Sequence, residues 1–450
     1  MKINVDLAKK RLQDAQHLNA VETMCKIEKD DNPELKLFDV AVVLKDNIST
    51  KGVKTTASSD FLKEYIPVFD ATVVEKLVAA GATIIAKTSM DEFAMGGFGM
   101  TAANGPVLNP HDNSRVAGGS SAGSAALVAA KVVKVALGTD TGDSCRIPAS
   151  YCGIVGFKPT YGRISRYGIL PYASSLDHVG IFSNNVANSA KLLESLAGFD
   201  ERDMTSSSKP VEKYSEHLNM DLSEMTVGMI DNVTGAISNN EIKKAFDNLI
   251  EKLNEKGIKS KNIEFDQQLF KNQNTIYKII ANAEAVSNHS NFNGLAFGQR
   301  VMGNNLEEIM TKSRSENIGL QARTRYLLGG YSLDINNIDK TFIQAKKVRR
   351  LLVDNINKEL ETTDFFIAPA SAQIAPKLNE ENNVDNNSDE HLIANNYMVM
   401  DNFTGNPGIV VPMCKVDNMP VGVYLSTKAF NEVQLLALAN LIEEIVGDLS

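Results

Sequence analysis

Two glycine-built stretches of the chain hold serines where an amide carbonyl could be attacked. The first is Ala117-Gly118-Gly119-Ser120-Ser121-Ala122-Gly123-Ser124, and the second is Gly138-Thr139-Asp140-Thr141-Gly142-Asp143-Ser144. Glycine opens backbone shapes that other residues resist, so both read as tight turns, and amides exposed in a turn can hold the oxyanion that forms when a hydroxyl attacks a carbonyl. In the second stretch the amides of Thr141, Gly142 and Asp143 are the candidates for that role and Ser144 for the attacking group, although Thr-Gly-Asp-Ser also suits a helix or turn cap. Ser120 has a rival reading as part of a phosphate-cradling loop, but the G-x-x-x-x-G-K-[ST] order is missing.

A serine hydroxyl attacks an amide only with a base to take its proton. The apolar run Phe38-Asp39-Val40-Ala41-Val42-Val43-Leu44 predicts a buried strand that ends at Lys45. A lysine at a strand end commonly snorkels to the surface; kept inside, its desolvated amine would lose its proton more readily and become a base. Side chains alternate across a strand, so Asp46 is expected to point away from Lys45 and leave it without a counter-ion.

The elements that must carry these groups read as α/β. After the strand at Lys45, Asp70-Ala71-Thr72 opens an amphipathic helix through Ala80 that Gly81 closes, and Thr83-Ile84-Ile85-Ala86 forms the next strand. That order is typical of a parallel sheet. Ser124 to Val135 is apolar except for Lys131 and Lys134, which predicts a buried helix beginning just after the paired glycines. Residues 1 to 32 are polar and helix-forming, and a polar connection after Gly198 leads to a strand at Met225 to Ile230, where the chain could divide into sub-regions. Asn379 to Asp389 is nearly all Asn and acidic residues, and it reads as a mobile loop after the strand Phe365 to Ala368.

Bulk composition narrows the function classes. With 43% hydrophobic and 22% charged residues and no apolar run long enough for a membrane span, the 450-residue chain reads as soluble, and its first residues show no secretory signal, so the cytoplasm is expected. Four cysteines without C-x-x-C spacing and six histidines without H-E-x-x-H give no support for a disulfide framework or a metal site. A net charge of -9 argues against this chain itself gripping a nucleic acid.

The motifs together resemble the amidase signature family. Lys45 in Val43-Leu44-Lys45-Asp46-Asn47-Ile48, the Gly-Gly-Ser-Ser-x-Gly-Ser stretch, and the run from Asp140 through Arg146 to Gly162-Arg163 carry the resemblance, with Lys87 to Gly96 and Ala173-Ser174-Ser175-Leu176-Asp177 in support. It covers nearly the whole chain and is nearest to the glutamine-hydrolysing A subunits of tRNA-dependent amidotransferases. It implies one amidase domain over residues 1–450, with a central twisted mixed sheet flanked by helices on both faces. Ser144 would be the nucleophile, Ser120 a bridging serine after a cis peptide at Gly119, and Lys45 the base. Met95, Gly96, Arg325 and Asn395 would contact substrate, Arg325 by clamping the α-carboxylate of glutamine. The resemblance also implies a B subunit that receives ammonia, uses ATP and Mg²⁺ and handles the mischarged tRNA, and a small C subunit that wraps the pair. This chain would hold no cofactor or metal, and would contact neither nucleic acid nor membrane. A stand-alone amidase acting on another small amide and an inactive scaffold subunit are the alternatives.

Four departures from the family pattern bear on those expectations. Asp143 stands where glycine is usual, so its carboxylate must either point outward or weaken the oxyanion turn. Asn395 stands where an acidic residue would hold the α-amino group, leaving Asp401 or Asp389 as substitutes. Ala122 replaces another glycine, and the region before Lys45 is shorter than is usual.

Overall fold

The five residues of Ala41–Lys45 are all buried, a pattern that arises when both faces of a strand are covered. The computed structural model that shows this describes residues 4–28, 32–378 and 396–447. In chain order the strands are β1 (Val21–Ile27), β2 (Ala41–Lys45), β3 (Thr83–Thr88), β4 (Val135–Asp140), β5 (Val155–Lys158), β6 (His178–Ser183), β7 (Thr226–Ile230), β8 (Lys259–Ile263), β9 (Phe365–Pro369), β10 (Gly408–Val416) and β11 (Met419–Thr427). Among the described residues they form one 11-stranded sheet, ordered β1-β3-β2-β4-β6-β5-β10-β11-β9-β7-β8. It is mixed: β3, β2 and β4 run parallel, as do β9, β7 and β8, while β4, β6, β5, β10 and β11 alternate in direction. Strands on either side of the polar connection after Gly198 therefore share one sheet. Helices flank it, and none in the described residues is long and apolar enough to cross a membrane.

Parallel pairing places the chemistry. Val42, Val43 and Leu44 of β2 lie beside Val135, Ala136 and Leu137 of β4, while Lys45 lies beside Thr88 of β3. The carboxyl ends of all three strands thus meet at one edge, the place where open α/β sheets hold their ligands. The loops after Thr88 and Asp140 leave from there, with Lys45 between them.

Several sequence expectations need correction. Residues 1 to 32 are not helical throughout: the helix Val5–Asp14 is followed by β1, antiparallel to β3. β1 is mostly half-exposed, so no strong alternation announced it. The buried helix spans Ala122–Ala129 rather than Ser124 to Val135. Lys131 has φ of 58°, which ends the helix, and Val135 already belongs to β4. Lys131 and Lys134 therefore sit in the helix-to-strand connection and not on the helix. The strand before the catalytic edge is also shorter than Phe38 to Lys45, because Asp39 adopts φ of 59°. The loop predicted at 379 to 389 lies outside the described residues, as do Asp389 and Asn395.

Beside the main core a second apolar cluster joins Phe93, Met95, Tyr172, Ile276, Ile280 and Tyr326. It seats the helices Gln273–Asn288 and Leu320–Leu333 against the loops at the sheet edge.

Candidate active site

Lys45 is wholly buried at the end of β2. Its Nζ donates to Ser120 Oγ at 2.7 Å and to the carbonyl of Thr139 at 3.3 Å. Burial drives the amine down to about 8, against the opposing pull of Cys145, Asp91, Asp140 and Asp177. Asp46 does point away: its carboxylate pairs with Lys87 at 3.4 Å and accepts from the amide and hydroxyl of Thr56.

Ser120 is held from both sides. The peptide bond between Gly119 and Ser120 is cis, and the Ser120 carbonyl accepts from the amide of Asp91 at 3.1 Å. The Asp91 carboxylate in turn accepts from the amides of Gly99, Met100 and Thr101 and from the Thr101 hydroxyl. Gly119 is required by this close approach, since a Cβ there would lie 2.0 Å from Asp91 Oδ2 and 2.7 Å from the Gly99 nitrogen. On the other side Ser121 Oγ donates to the Thr139 carbonyl at 3.0 Å and accepts from the Thr139 amide at 3.3 Å, which stitches the two serine turns together.

The second turn leaves β4 after Asp140 and enters the helix Arg146–Cys152. Among the described residues the amides of Thr141, Gly142, Asp143 and Ser144 donate to no other group, and the buried Ser144 hydroxyl makes no hydrogen bond. A run of uncommitted donors beside a free hydroxyl is what a tetrahedral oxyanion needs. The turn is rigid because Arg146, fully buried, reaches around it. Arg146 Nη2 donates to Asp140 Oδ1 at 2.9 Å, the Gly142 carbonyl at 2.7 Å and Asn402 Oδ1 at 2.8 Å, while Nη1 donates to Asp401 Oδ2 at 3.0 Å. Asp177 ties the far side, accepting from the Thr141 hydroxyl at 2.7 Å and from the amides of Tyr172 and Ala173.

The remaining expected residues divide. Arg325, half-buried on Leu320–Leu333, donates to the Tyr172 hydroxyl at 2.7 Å, and Tyr172 meets Tyr277 edge to face at 6.5 Å. Tyr277 lies over the oxyanion turn, its ring within 3.4 Å of where a Cβ on Gly142 would sit. A wall thus runs from Gly142 through Tyr277 and Tyr172 to Arg325. Met95 is buried in the second apolar cluster and Gly96 packs on Asp91, in the loop whose Gly97 carbonyl accepts from the Gly119 amide. Asp143 does not point outward. It is half-buried, and its carboxyl is pushed up to about 7 by burial and by Asp140, with Arg146 and Arg325 pulling it back. Asp401 is unavailable to substrate: fully buried, it is consumed by Arg146, the Tyr424 hydroxyl at 2.7 Å and the Ser426 hydroxyl at 2.6 Å.

The family model for amidases matches residues 8–436. The chain belongs to the amidase signature family. Among its amidase relatives, the glutamyl-tRNA(Gln) amidotransferase A subunit of Koribacter versatilis is 41% identical over 423 residues, covering 93% of this chain and 86% of the relative. Its counterpart in Mycoplasma genitalium is 36% identical, covering 95% and 90%. The crystal structure of the Thermotoga maritima counterpart superposes with a TM-score of 0.82 at 32% identity, covering 98% of this chain and 91% of that one. The peptide amidase of Stenotrophomonas maltophilia, at 24% identity and a TM-score of 0.81, shares the amidase fold; the match covers 98% of this chain and 93% of that one.

Sequence reasoning about this amidase missed the role of Arg146 with Asp140 and Asn402, and it missed Tyr277 altogether. Asp140 and Arg146 stand six positions apart around a glycine turn, a spacing that could have suggested a turn-closing ion pair. Tyr277 lies in a helix remote in sequence, with no local signal to connect it to Gly142.

Proposed function

We propose that this protein is the glutamine-hydrolysing A subunit of a tRNA-dependent amidotransferase, working through Lys45, Ser120 and Ser144. The observation that carries the reading is the 2.7 Å contact of the buried Lys45 amine with Ser120, next to the turn that bears Ser144. Neutral Lys45 takes the proton of Ser120, which takes that of Ser144 as its Oγ attacks the side-chain carbonyl of glutamine. The amides of Thr141, Gly142 and Asp143 hold the oxyanion, a contribution of roughly 3 kcal/mol per donor in comparable hydrolases. When the intermediate collapses the C–N bond breaks, and ammonia leaves with the proton returned through Ser120. Water then attacks the glutamyl ester by the same relay, releasing glutamate and restoring Ser144.

Ammonia released into bulk water would be protonated and lost as a nucleophile, so the reading includes a B subunit that receives it and uses ATP and Mg²⁺ to activate the mischarged aminoacyl-tRNA, with a C subunit binding both. The acidity of this chain supports leaving tRNA to the B subunit. Glu-tRNA(Gln), Asp-tRNA(Asn) or both would be served according to partner surfaces, in the cytoplasm.

The test measures ammonia release from glutamine by the chain alone, with the B and C subunits, and with each mischarged tRNA plus ATP. Stimulation by partners and tRNA is expected. Equal turnover of simple aliphatic amides without partners would instead identify a stand-alone amidase, and no turnover in any combination a scaffold.

A further inference from the structure

We propose that Asp143 binds the α-ammonium group of the substrate, so that Asp143 and Arg325 together select an amide bearing the two charges of a free amino acid. This rests on the glutaminase reading above and names how that site distinguishes its substrate.

Asp143 immediately precedes Ser144, in a turn whose carbonyls are already used: those of Gly142 and Asp143 accept from Arg146 Nη2 and from the Arg146 and Ile147 amides. Its side chain is different. The carboxyl is half-buried yet has no hydrogen-bond or ion-pair partner among the described residues. The carboxyl oxygens are not sealed off from the site, so a cation entering it can reach them, and the surrounding burial strengthens the attraction. The nearby cations are engaged elsewhere. Arg146 is saturated by Asp140, Asp401, Asn402 and two carbonyls, and Arg325 directs Nη1 to Tyr172.

The position suits an ammonium ion. The wall from Gly142 through Tyr277 and Tyr172 to Arg325 borders the turn, and the Arg325 charge reaches the Asp143 carboxyl. In an amino acid the ammonium and carboxylate share one carbon, so the groups that bind them must stand close together, one of each sign. Of the acidic substitutes for Asn395, Asp401 is fully engaged in the Arg146 clamp and Asp389 lies outside the described residues. The charged and titratable groups around Asp143 are Asp140 at the end of β4, Arg146 and Tyr151 on Arg146–Cys152, Tyr277 on Gln273–Asn288 and Arg325 on Leu320–Leu333. Burial pushes both phenols upward, so they stay neutral, and the carboxyl of the free site, held up at about 7, ionises readily when a cation arrives.

The experiment compares ammonia release from glutamine and from its des-amino analogue 4-carbamoylbutanoate, using the wild-type enzyme, Asp143→Asn and Asp143→Gly, assembled with partners where these are required. Wild type should strongly prefer glutamine. Asp143→Asn should raise KM for glutamine on the order of ten- to a hundredfold, the scale of a lost charged hydrogen bond, and shift KM for the analogue far less. In wild type, KM for glutamine should rise as the pH falls below about 7, while that of the analogue stays level. Equal KM values for the two compounds in wild type overturn the proposal without any variant. So does an equal rise for both in Asp143→Asn, which would mark a distorted oxyanion turn, or a glutamine KM that is flat across this pH range. Failure of the wild-type assembly to hydrolyse glutamine would instead remove the glutaminase reading itself.

Discussion

Asp46 turns its carboxylate to the ammonium of Lys87, 3.4 Å away, and so leaves its neighbour Lys45 buried without an ion-pair partner among the described residues. Two adjacent residues on opposite faces of one strand end thereby separate a structural ion pair from a candidate base. Had the carboxylate faced Lys45, attraction would have held the amine charged.

Lys45→Met should lower ammonia release by roughly a thousandfold, the scale of a lost general base, and should also stabilise the fold. The folded amine is depressed to about 8 from an ordinary value of 10.5, so between those values the unfolded chain binds more protons and stability rises with pH. Below about 8 the full cost of the buried charge is present, about 3 kcal/mol. Melting at pH 7 should therefore occur at a higher temperature in Lys45→Met. Wild-type turnover should climb as the pH rises toward about 8, because only the neutral amine accepts a proton. Substantial hydrolysis by the purified variant would sink the role given to Lys45.

Ser144→Ala should abolish the covalent adduct that an amide-mimicking electrophile leaves on the wild-type chain, read by intact mass and peptide mapping. Ser120→Ala should slow adduct formation yet leave its site unchanged. An adduct mapped to Ser120 would exchange the two roles.

Arg146→Met should destabilise the protein by about 3–5 kcal/mol in urea unfolding, since it strands two buried carboxylates. Burial alone would raise the Asp140 pKa, but the Arg146 guanidinium overrides it and holds the group well below the usual carboxylate range. That contribution is present above the unfolded value near 4 and is lost as the pH falls through the folded one. The acid-unfolding midpoint should accordingly move to higher pH in Arg146→Met. An unchanged midpoint would show that the clamp adds nothing.

Gly119→Ala should cost activity and about 1–3 kcal/mol of stability, because its Cβ would meet Asp91 Oδ2 at 2.0 Å. Gly330→Ala gives the contrast. A Cβ at Gly330, inside Leu320–Leu333, meets nothing within 4 Å, so the variant should gain about 0.5–1 kcal/mol through reduced chain entropy. Similar losses from both substitutions would contradict the packing described around Asp91.

Local patterning was legible where local forces govern. Ala41 to Lys45 announced a buried strand through its β-branched residues, and Gly81, at φ of 94°, announced the end of the helix Thr72–Ala79. It misled where a single backbone angle intervened, as at Lys131, whose positive φ ends the helix ahead of the apolar pair Val132-Val133. Half-exposed β1 escaped notice because its pairing with β3, and no pattern of its own, makes it a strand.

Residue types and the order of the motifs were enough to nominate two serines, a lysine and a turn of amides, since glycine turns and strand ends depend on interactions a few residues long. Which charges face which groups depended on contacts between segments far apart in the chain. Asp401 met Arg146 across 255 residues and was withdrawn from the substrate, whereas Asp143 was left half-buried with no partner among the described residues. Whether a buried carboxylate is paired or free follows from the low-dielectric packing around it, and that packing exists only once the sheet brings β2, β3 and β4 to a common edge.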